Sequence, residues 1–224
     1  MPPLARRCGL IISMQFQKAH VSIIRSIRHV SLARDWHRSR GKDELPKFAT
    51  FVPNERAGDA ADLLVNEVRR DGGELFYLCV AAGARVEQVY DEKMPSRFLH
   101  ECLDGSMANA AKPIWDACTV NQLPVYSIIP LADRDGVPVT VEQIFLPYSR
   151  DGSRVDFMVA ALHACSTESR FAHQGLLRGI AKAPLHWAVM IDPSMSVAPR
   201  PEQDSGHGIV LDDMFPAMGA AISR

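Results

Sequence analysis

The pair of residues best suited by type and spacing to covalent chemistry is His163 and Cys165. A cysteine thiolate acts as a nucleophile when a histidine takes its proton and a third group orients that histidine. Residues two apart on a strand point to the same face of a sheet, so the two side chains could meet. The local sequence offers no third group. We therefore expect this pair to lie at a strand end packed against the core, and we predict no catalytic residues.

Other familiar catalytic and metal patterns are missing from the sequence. Gly72-Gly73 is typical of a hairpin turn rather than a phosphate-binding loop, and Ser149 precedes Arg-Asp-Gly, which is a turn and not a nucleophile elbow. The five cysteines are odd in number, and none lies in a C-x-x-C pair. That pattern indicates free thiols in a reducing cytoplasm, with neither a disulfide framework nor a zinc site.

Haem is the most specific cofactor hypothesis that the sequence allows. It requires an axial histidine, cysteine or methionine facing a pocket, and His100 lies in a suitable segment, residues 96–102. The alternative, which we favour, is a half-exposed histidine without a cofactor. A flavin adduct at Cys102 would need a neighbourhood rich in Asn and Gln, which this sequence lacks.

Composition bounds the class of protein. The chain has 224 residues, of which 47% are hydrophobic, and a net charge of −1. It is long enough for one domain with a core, and its charge predicts no nucleic-acid partner. No apolar run approaches the roughly 20 residues that span a bilayer, so we predict no stable membrane insertion. Residues 1–16 form a predicted N-terminal extension, and translation from Met14 is our preferred interpretation of it.

Turn signals divide the rest of the chain into an α+β pattern. Asp-Gly turns between apolar runs favour hairpins, because glycine accepts a positive φ. We predict one antiparallel hairpin and one three-stranded meander that join into a five-stranded antiparallel sheet, with helices on one face. The predicted strands are Leu63–Val68, Glu74–Ala81, Val125–Ala132, Val139–Pro147 and Val155–Ala164. The predicted helical segments are Gln17–Arg40, Ala84–Asp91, Ser96–Leu103 and Met107–Asn121.

These elements predict a division of the chain into a flanking helix at 17–44, a domain at 45–166 and a C-terminal extension at 167–224. Within that extension, His186–Asp192 could form one more strand or a docking segment. Val197–Gly208 is rich in Pro, Gly and charge, which is typical of a flexible linker.

Several stretches carry a family resemblance over residues 25–165. Trp36, Gly41 and Leu45-Pro46 follow one another as a helix end and connector. Phe76-Tyr-Leu-Cys-Val-Ala-Ala-Gly83 is an aromatic strand ending in glycine, and Leu146-Pro-Tyr-Ser-Arg-Asp-Gly152 precedes a hydrophobic strand. This pattern resembles a PAS domain, and more narrowly a PAS-like family common in alphaproteobacteria. The arginine often found in the family's first hairpin is absent.

The resemblance implies a sensory or regulatory module that stands alone, because too little chain follows it for a catalytic domain. A small apolar ligand could lie between the sheet and its helices, with Trp115 over the sheet face that holds Tyr126 and Ile144; a filled core without ligand is the alternative. The predicted pocket residues are Phe76, Leu78, Phe98, His100, Trp115, Tyr126, Ile128 and Ile144.

The segment Gln17–Arg40 is the predicted interaction element. Its apolar stripe includes Ile23, Ile27 and Val30, which could bind a protein partner or a second copy in a homodimer, or could fold back on the chain's own sheet. The sequence thus favours a non-enzymatic PAS-like regulatory protein acting through protein–protein interaction. The alternative is a small α+β enzyme with a site at the sheet edge.

Overall fold

The computed structural model describes residues 16–41, 45–53, 59–168, 170–178, 187–192 and 194–195. The proposed start at Met14 and the predicted linker Val197–Gly208 lie outside these residues, as does all of the predicted N-terminal extension except Phe16.

The described residues form an α+β fold around one sheet of seven strands rather than the five we predicted. The strands are β1 (Lys18–Ala19), β2 (Leu63–Asp71), β3 (Glu74–Ala82), β4 (Val125–Ala132), β5 (Pro138–Tyr148), β6 (Phe157–Cys165) and β7 (Trp187–Ile191). Their order in the sheet is β1-β7-β4-β5-β6-β2-β3, and every pair is antiparallel except β1–β7.

The five predicted strands are confirmed, and so is their pairing. β2 and β3 form the hairpin, β4, β5 and β6 form the meander, and β2 pairs with β6 to join the two. The glycines of the two Asp-Gly turns, Gly136 and Gly152, have φ angles of 82° and 100°. The turn chemistry therefore sets this part of the fold, because other residues adopt such angles only with strain.

The helices are α1 (Ile27–Ser39), α2 (Ala84–Tyr90) and α3 (Gly105–Asn121). The last two match the prediction closely. The predicted helix Gln17–Arg40 is too long at its start, because Lys18–Ala19 pairs with β7 and a short 3-10 turn follows at Val21–Ile23. The helix begins after Ser26, whose hydroxyl accepts a hydrogen bond from the backbone N–H of His29. Serine at this position satisfies one of the free N–H groups of the first turn.

Helices cover both faces of the sheet, which corrects the prediction of one covered face. On one face, here called the α3 face, Trp115 of α3 packs against Tyr77 of β3, with ring centroids 5.6 Å apart. On the other, the α1 face, His29 of α1 contacts Tyr126 of β4 at 6.2 Å. β5 runs between these layers, and its residues 141–148 are all buried.

Part of the predicted C-terminal extension belongs to the domain. Trp187–Ile191 forms β7 beside β4, which confirms the additional strand considered for this segment. Residues 170–178 lie against α2, where the N–H groups of Gly175 and Leu177 donate to the carbonyls of Gln88 and Val89 at 2.9 and 3.1 Å. Within the described residues, no helix is long and apolar enough to cross a membrane.

Candidate functional site

Four of the predicted pocket residues gather at the β3 edge of the sheet. The rings of Phe76 and Phe98 lie 6.0 Å apart, and the imidazole of His100 stacks on Phe98 at 5.7 Å. Leu78 forms a backbone bridge with Phe98. Phe76, Leu78 and Phe98 are partly exposed, and Val80 on the same strand is 44% exposed. We call Phe76, Leu78, Val80, Phe98 and His100 the β3 patch.

The β3 patch lies beside an open strand edge. β3 is the last strand of the described sheet, and the bonds on its outer side come from the residues that follow it: the N–H of Cys79 donates to the carbonyl of Arg97, and the N–H of Ser96 donates to the carbonyl of Cys79, both at 2.8 Å. Within the described chain, Glu74–Tyr77 therefore has a neighbouring strand on one side only. An open edge offers backbone donors and acceptors to another strand.

The other four predicted pocket residues lie elsewhere and do not share one pocket. Tyr126 pairs with Ile144 on the α1 face, and Ile128 is two residues along the same strand, so these three share a face. Trp115 lies on the opposite face, against Tyr77. The expected contact between Trp115 and the face of Tyr126 and Ile144 is therefore wrong, because α1 rather than α3 covers those residues.

A buried polar cluster lies beneath the start of α1. The carboxylate of Glu142 accepts hydrogen bonds from the hydroxyl of Tyr126 at 2.7 Å and from the backbone N–H of Ser26 at 3.2 Å. Burial, and the bond to Glu142, raise the pKa of Tyr126, so its hydroxyl stays protonated and donating. The carboxylate lies at the N-terminal end of α1, where the helix dipole is positive. The cluster therefore ties α1 to β4 and β5.

His29 of α1 lies beside this cluster, and one of its ring nitrogens has no hydrogen-bond partner among the described residues. Its side chain is 2% exposed, and Nδ1 is buried with no hydrogen-bond partner among the described residues. Burial, followed by the nearby His163 and Arg28, lowers the pKa of His29 to about 3. The imidazole is therefore neutral at ordinary pH, and we assign it a packing role between α1 and the sheet.

His163 and Cys165 share the α1 face, as the strand periodicity predicts, since they pair with Glu142 and Thr140. Glu142 is thus the cross-strand neighbour of His163, a group that the local sequence could not reveal. Its carboxylate nevertheless bonds to Tyr126 and Ser26. Burial raises the pKa of the Cys165 thiol, and Glu142 adds to the effect. A raised pKa disfavours the thiolate that nucleophilic chemistry needs.

The surroundings of His100 do not fit a haem site. The side chain is exposed at the sheet edge and stacks on the partly exposed Phe98. An axial ligand must instead face a pocket that encloses the macrocycle. Among the described residues, no three His, Cys, Asp or Glu side chains are arranged to hold a metal ion.

The predicted interaction stripe is divided by the fold. Ile23 and Val30 pack against the core, whereas Ile27 is 86% exposed at the first turn of α1. The buried residues of α1 are His29, Ala33 and Trp36, and the indole of Trp36 donates to the carbonyl of Pro147 at 2.6 Å. The helix therefore folds back on its own sheet, which was the alternative we considered.

Sequence reasoning missed a groove beside α1. It has a volume of about 430 Å³, and Arg34, His37 and Arg38 of α1 form one side of it. Its lining also includes Ile191 of β7, a strand whose place in the sheet only the fold reveals. The basic helix face visible in the sequence was the one available signal.

Comparison of the sequence with models of known protein families and with curated proteins finds no match.

Proposed function

We propose that this chain is a PAS-like regulatory module that acts by binding protein, namely a second copy of itself, and that it is not an enzyme. The observation that carries the proposal is the β3 patch beside an open strand edge. The pairing of a first hairpin with a later meander through β2 and β6 is what the resemblance to PAS domains implies, and it supports the regulatory class. A cytoplasmic location is part of the proposal, supported by the absence of paired cysteine motifs.

The composition of the β3 patch resembles the centre of a protein interface. Such centres are enriched in aromatic residues and surrounded by a polar rim. Phe76 and Phe98 provide the aromatic surface, while Glu74 and Glu101 are exposed around it. Monomeric proteins rarely leave contiguous apolar surface of this kind without a use for it.

The strand edge suggests how two copies would meet. Antiparallel pairing of Glu74–Tyr77 with the same segment of a second chain would continue the sheet and bring the two β3 patches together around a two-fold axis. The irregularity in the β2–β3 register beside Val65 and Asn66 limits this pairing to the first half of β3, because a bulge disturbs the ladder.

Light scattering over a concentration series tests the proposal. Phe76→Lys places a charge in the patch, and Val80→Asp does so at a more exposed position. Val120→Asp is the matched control, since Val120 is 69% exposed on α3. We expect the wild type and the control to form dimers, and both patch variants to remain folded by circular dichroism but monomeric. A wild type that stays monomeric, or patch variants that dimerise like the control, would contradict the proposal.

The alternative of a small enzyme at the sheet edge has weaker support. The residues at the β3 edge are mainly apolar, and the polar cluster under α1 is occupied by structural hydrogen bonds. A nucleophile with a lowered pKa beside a base would be needed, and Cys165 has the opposite shift.

A further inference from the structure

The geometry points to a ligand site in the groove beside α1, and we propose that it binds a small amphipathic anion, a carboxylate carried on a short apolar body. The inference deepens the proposed regulatory function by naming the class of modulating ligand and its place. Binding can be measured whether or not the chain dimerises, so the two proposals can fail separately.

The apolar part of the groove lining, called its floor here, comes from four elements of the fold. It is formed by side chains of α1, the 3-10 turn before it, the connection into β4 and the end of β7: Ala33, Val21, Pro124 and Ile191. Three of these residues, Ala33, Pro124 and Ile191, are buried. Packing therefore holds the floor of the groove in place. The volume of about 430 Å³ falls within the usual range for small-molecule sites, roughly 300–1,000 Å³.

The rim is basic. Arg34, His37 and Arg38 line the groove, and His37 also lines a second hollow of about 460 Å³ that adds Lys18 and Arg40. Two of these cations have acidic partners, since Arg38 pairs with Asp35 and Lys18 with Asp192. Arg40 lies over the ring of Trp36 at 5.3 Å. Arg34 makes no ion pair within the described part of the chain, so its charge is available to a ligand.

A contribution to helix stability explains only some of the basic residues of α1 that line the groove. A cation in the last turn of a helix, such as Arg38, interacts favourably with the helix dipole. Arg34 lies a turn earlier, where that effect has faded, and this exposed residue also lines the groove. Its guanidinium can bind a carboxylate through two parallel hydrogen bonds, while the apolar body of the ligand would lie on the floor below.

Calorimetric titration of the full chain with octanoate, and with 1-octanol as a neutral ligand of the same chain length, tests the inference. We expect octanoate to bind at least tenfold more tightly than octanol. Arg34→Glu should weaken octanoate binding at least tenfold. Arg134→Glu, an equally charged change in the β4–β5 turn, should leave it unchanged, because Arg134 is an exposed residue outside the groove.

Four results would overturn the inference, three from the titrations and one from a competition. Octanoate and octanol could bind equally, the two arginine variants could behave alike, or octanoate could fail to bind at all. A synthetic peptide of residues 209–215, an acidic and apolar stretch of this chain, provides a competition. Tighter binding of that peptide than of octanoate, lost in Arg34→Glu, would replace the small molecule by the chain's own tail.

Discussion

The two faces of the sheet are covered in different ways. On the α3 face, two helices, α2 and α3, bury side chains that include Val89, Ile114 and Trp115 against the sheet. On the α1 face, a single helix lies over a buried carboxylate, a tyrosine and a histidine, with a groove beside it and an open apolar edge at β3. We infer that the α3 face provides most of the stability, and that the features able to bind a ligand or partner belong to the α1 face and the β3 edge.

The greatest loss of stability is expected from a substitution on the α3 face. Trp115 is 2% exposed and its ring contacts Tyr77, so Trp115→Ala should lower the free energy of unfolding by about 3–5 kcal/mol. Chemical denaturation measures this loss. Val120→Ala on the exposed side of the same helix is the control and should change stability by less than about 0.5 kcal/mol. A similar small change for Trp115→Ala would mean that the filled core is described wrongly.

A smaller loss is expected in the polar cluster of the α1 face. Tyr126→Phe removes the hydroxyl that donates to Glu142 at 2.7 Å and leaves the ring in place. A hydrogen bond to a charged group is worth about 1.5–3 kcal/mol, and denaturation should show a loss of that size. Unchanged stability would show that the cluster does not hold α1 on the sheet.

The pH dependence of stability separates the two faces further. The pKa of His29 is about 3 in the folded chain, against about 6.5 when unfolded. Below pH 6.5, His29 in the unfolded chain therefore binds a proton that it does not bind in the folded chain. The stability that neutral His29 contributes is complete above pH 6.5 and is lost as the pH falls toward 3. At pH 5 the loss is about 2 kcal/mol.

Denaturation between pH 7.5 and 5 measures this loss, and His29→Gln should flatten the profile. The groups that face His29 are Arg28 on its own helix, His163 on β6, and the Tyr126–Glu142 pair on β4 and β5. His173→Gln is the matched control, because burial lowers the pKa of His173 as well, and Arg85 rather than His163 is the charged group that adds to the effect there. If both variants flattened the pH profile of stability equally, the pH dependence would not be specific to His29.

The sequence predicts the antiparallel part of the fold because its signals are local. Asp135-Gly136 and Asp151-Gly152 need only their own backbone angles to place the turns of the meander. The position of β7 depends instead on pairing with β4, more than fifty residues earlier in the chain. Nothing in the sequence of Trp187–Ile191 reveals that partner, so the sequence alone could not predict a sheet of seven strands.

The sequence predicts the candidate site less well than the strands, because the site depends on contacts between distant elements. Alternation correctly groups Tyr126, Ile128 and Ile144 on one face. It cannot say which helix covers that face, and the covering helix decides whether these residues line a pocket with Trp115. The β3 patch emerged from half of the predicted pocket residues, since Phe76 and Phe98 meet at an edge that only the strand order defines.

Amide hydrogen exchange along Glu74–Tyr77, measured at low and high protein concentration, tests whether two copies pair through β3. Amides of this segment that bond to β2 provide the internal control and should be protected at both concentrations. We predict that the amides pointing away from β2 exchange rapidly in dilute protein and become protected as the concentration rises. Rapid exchange of those outward amides at every concentration, in protein that remains folded, would contradict pairing through β3.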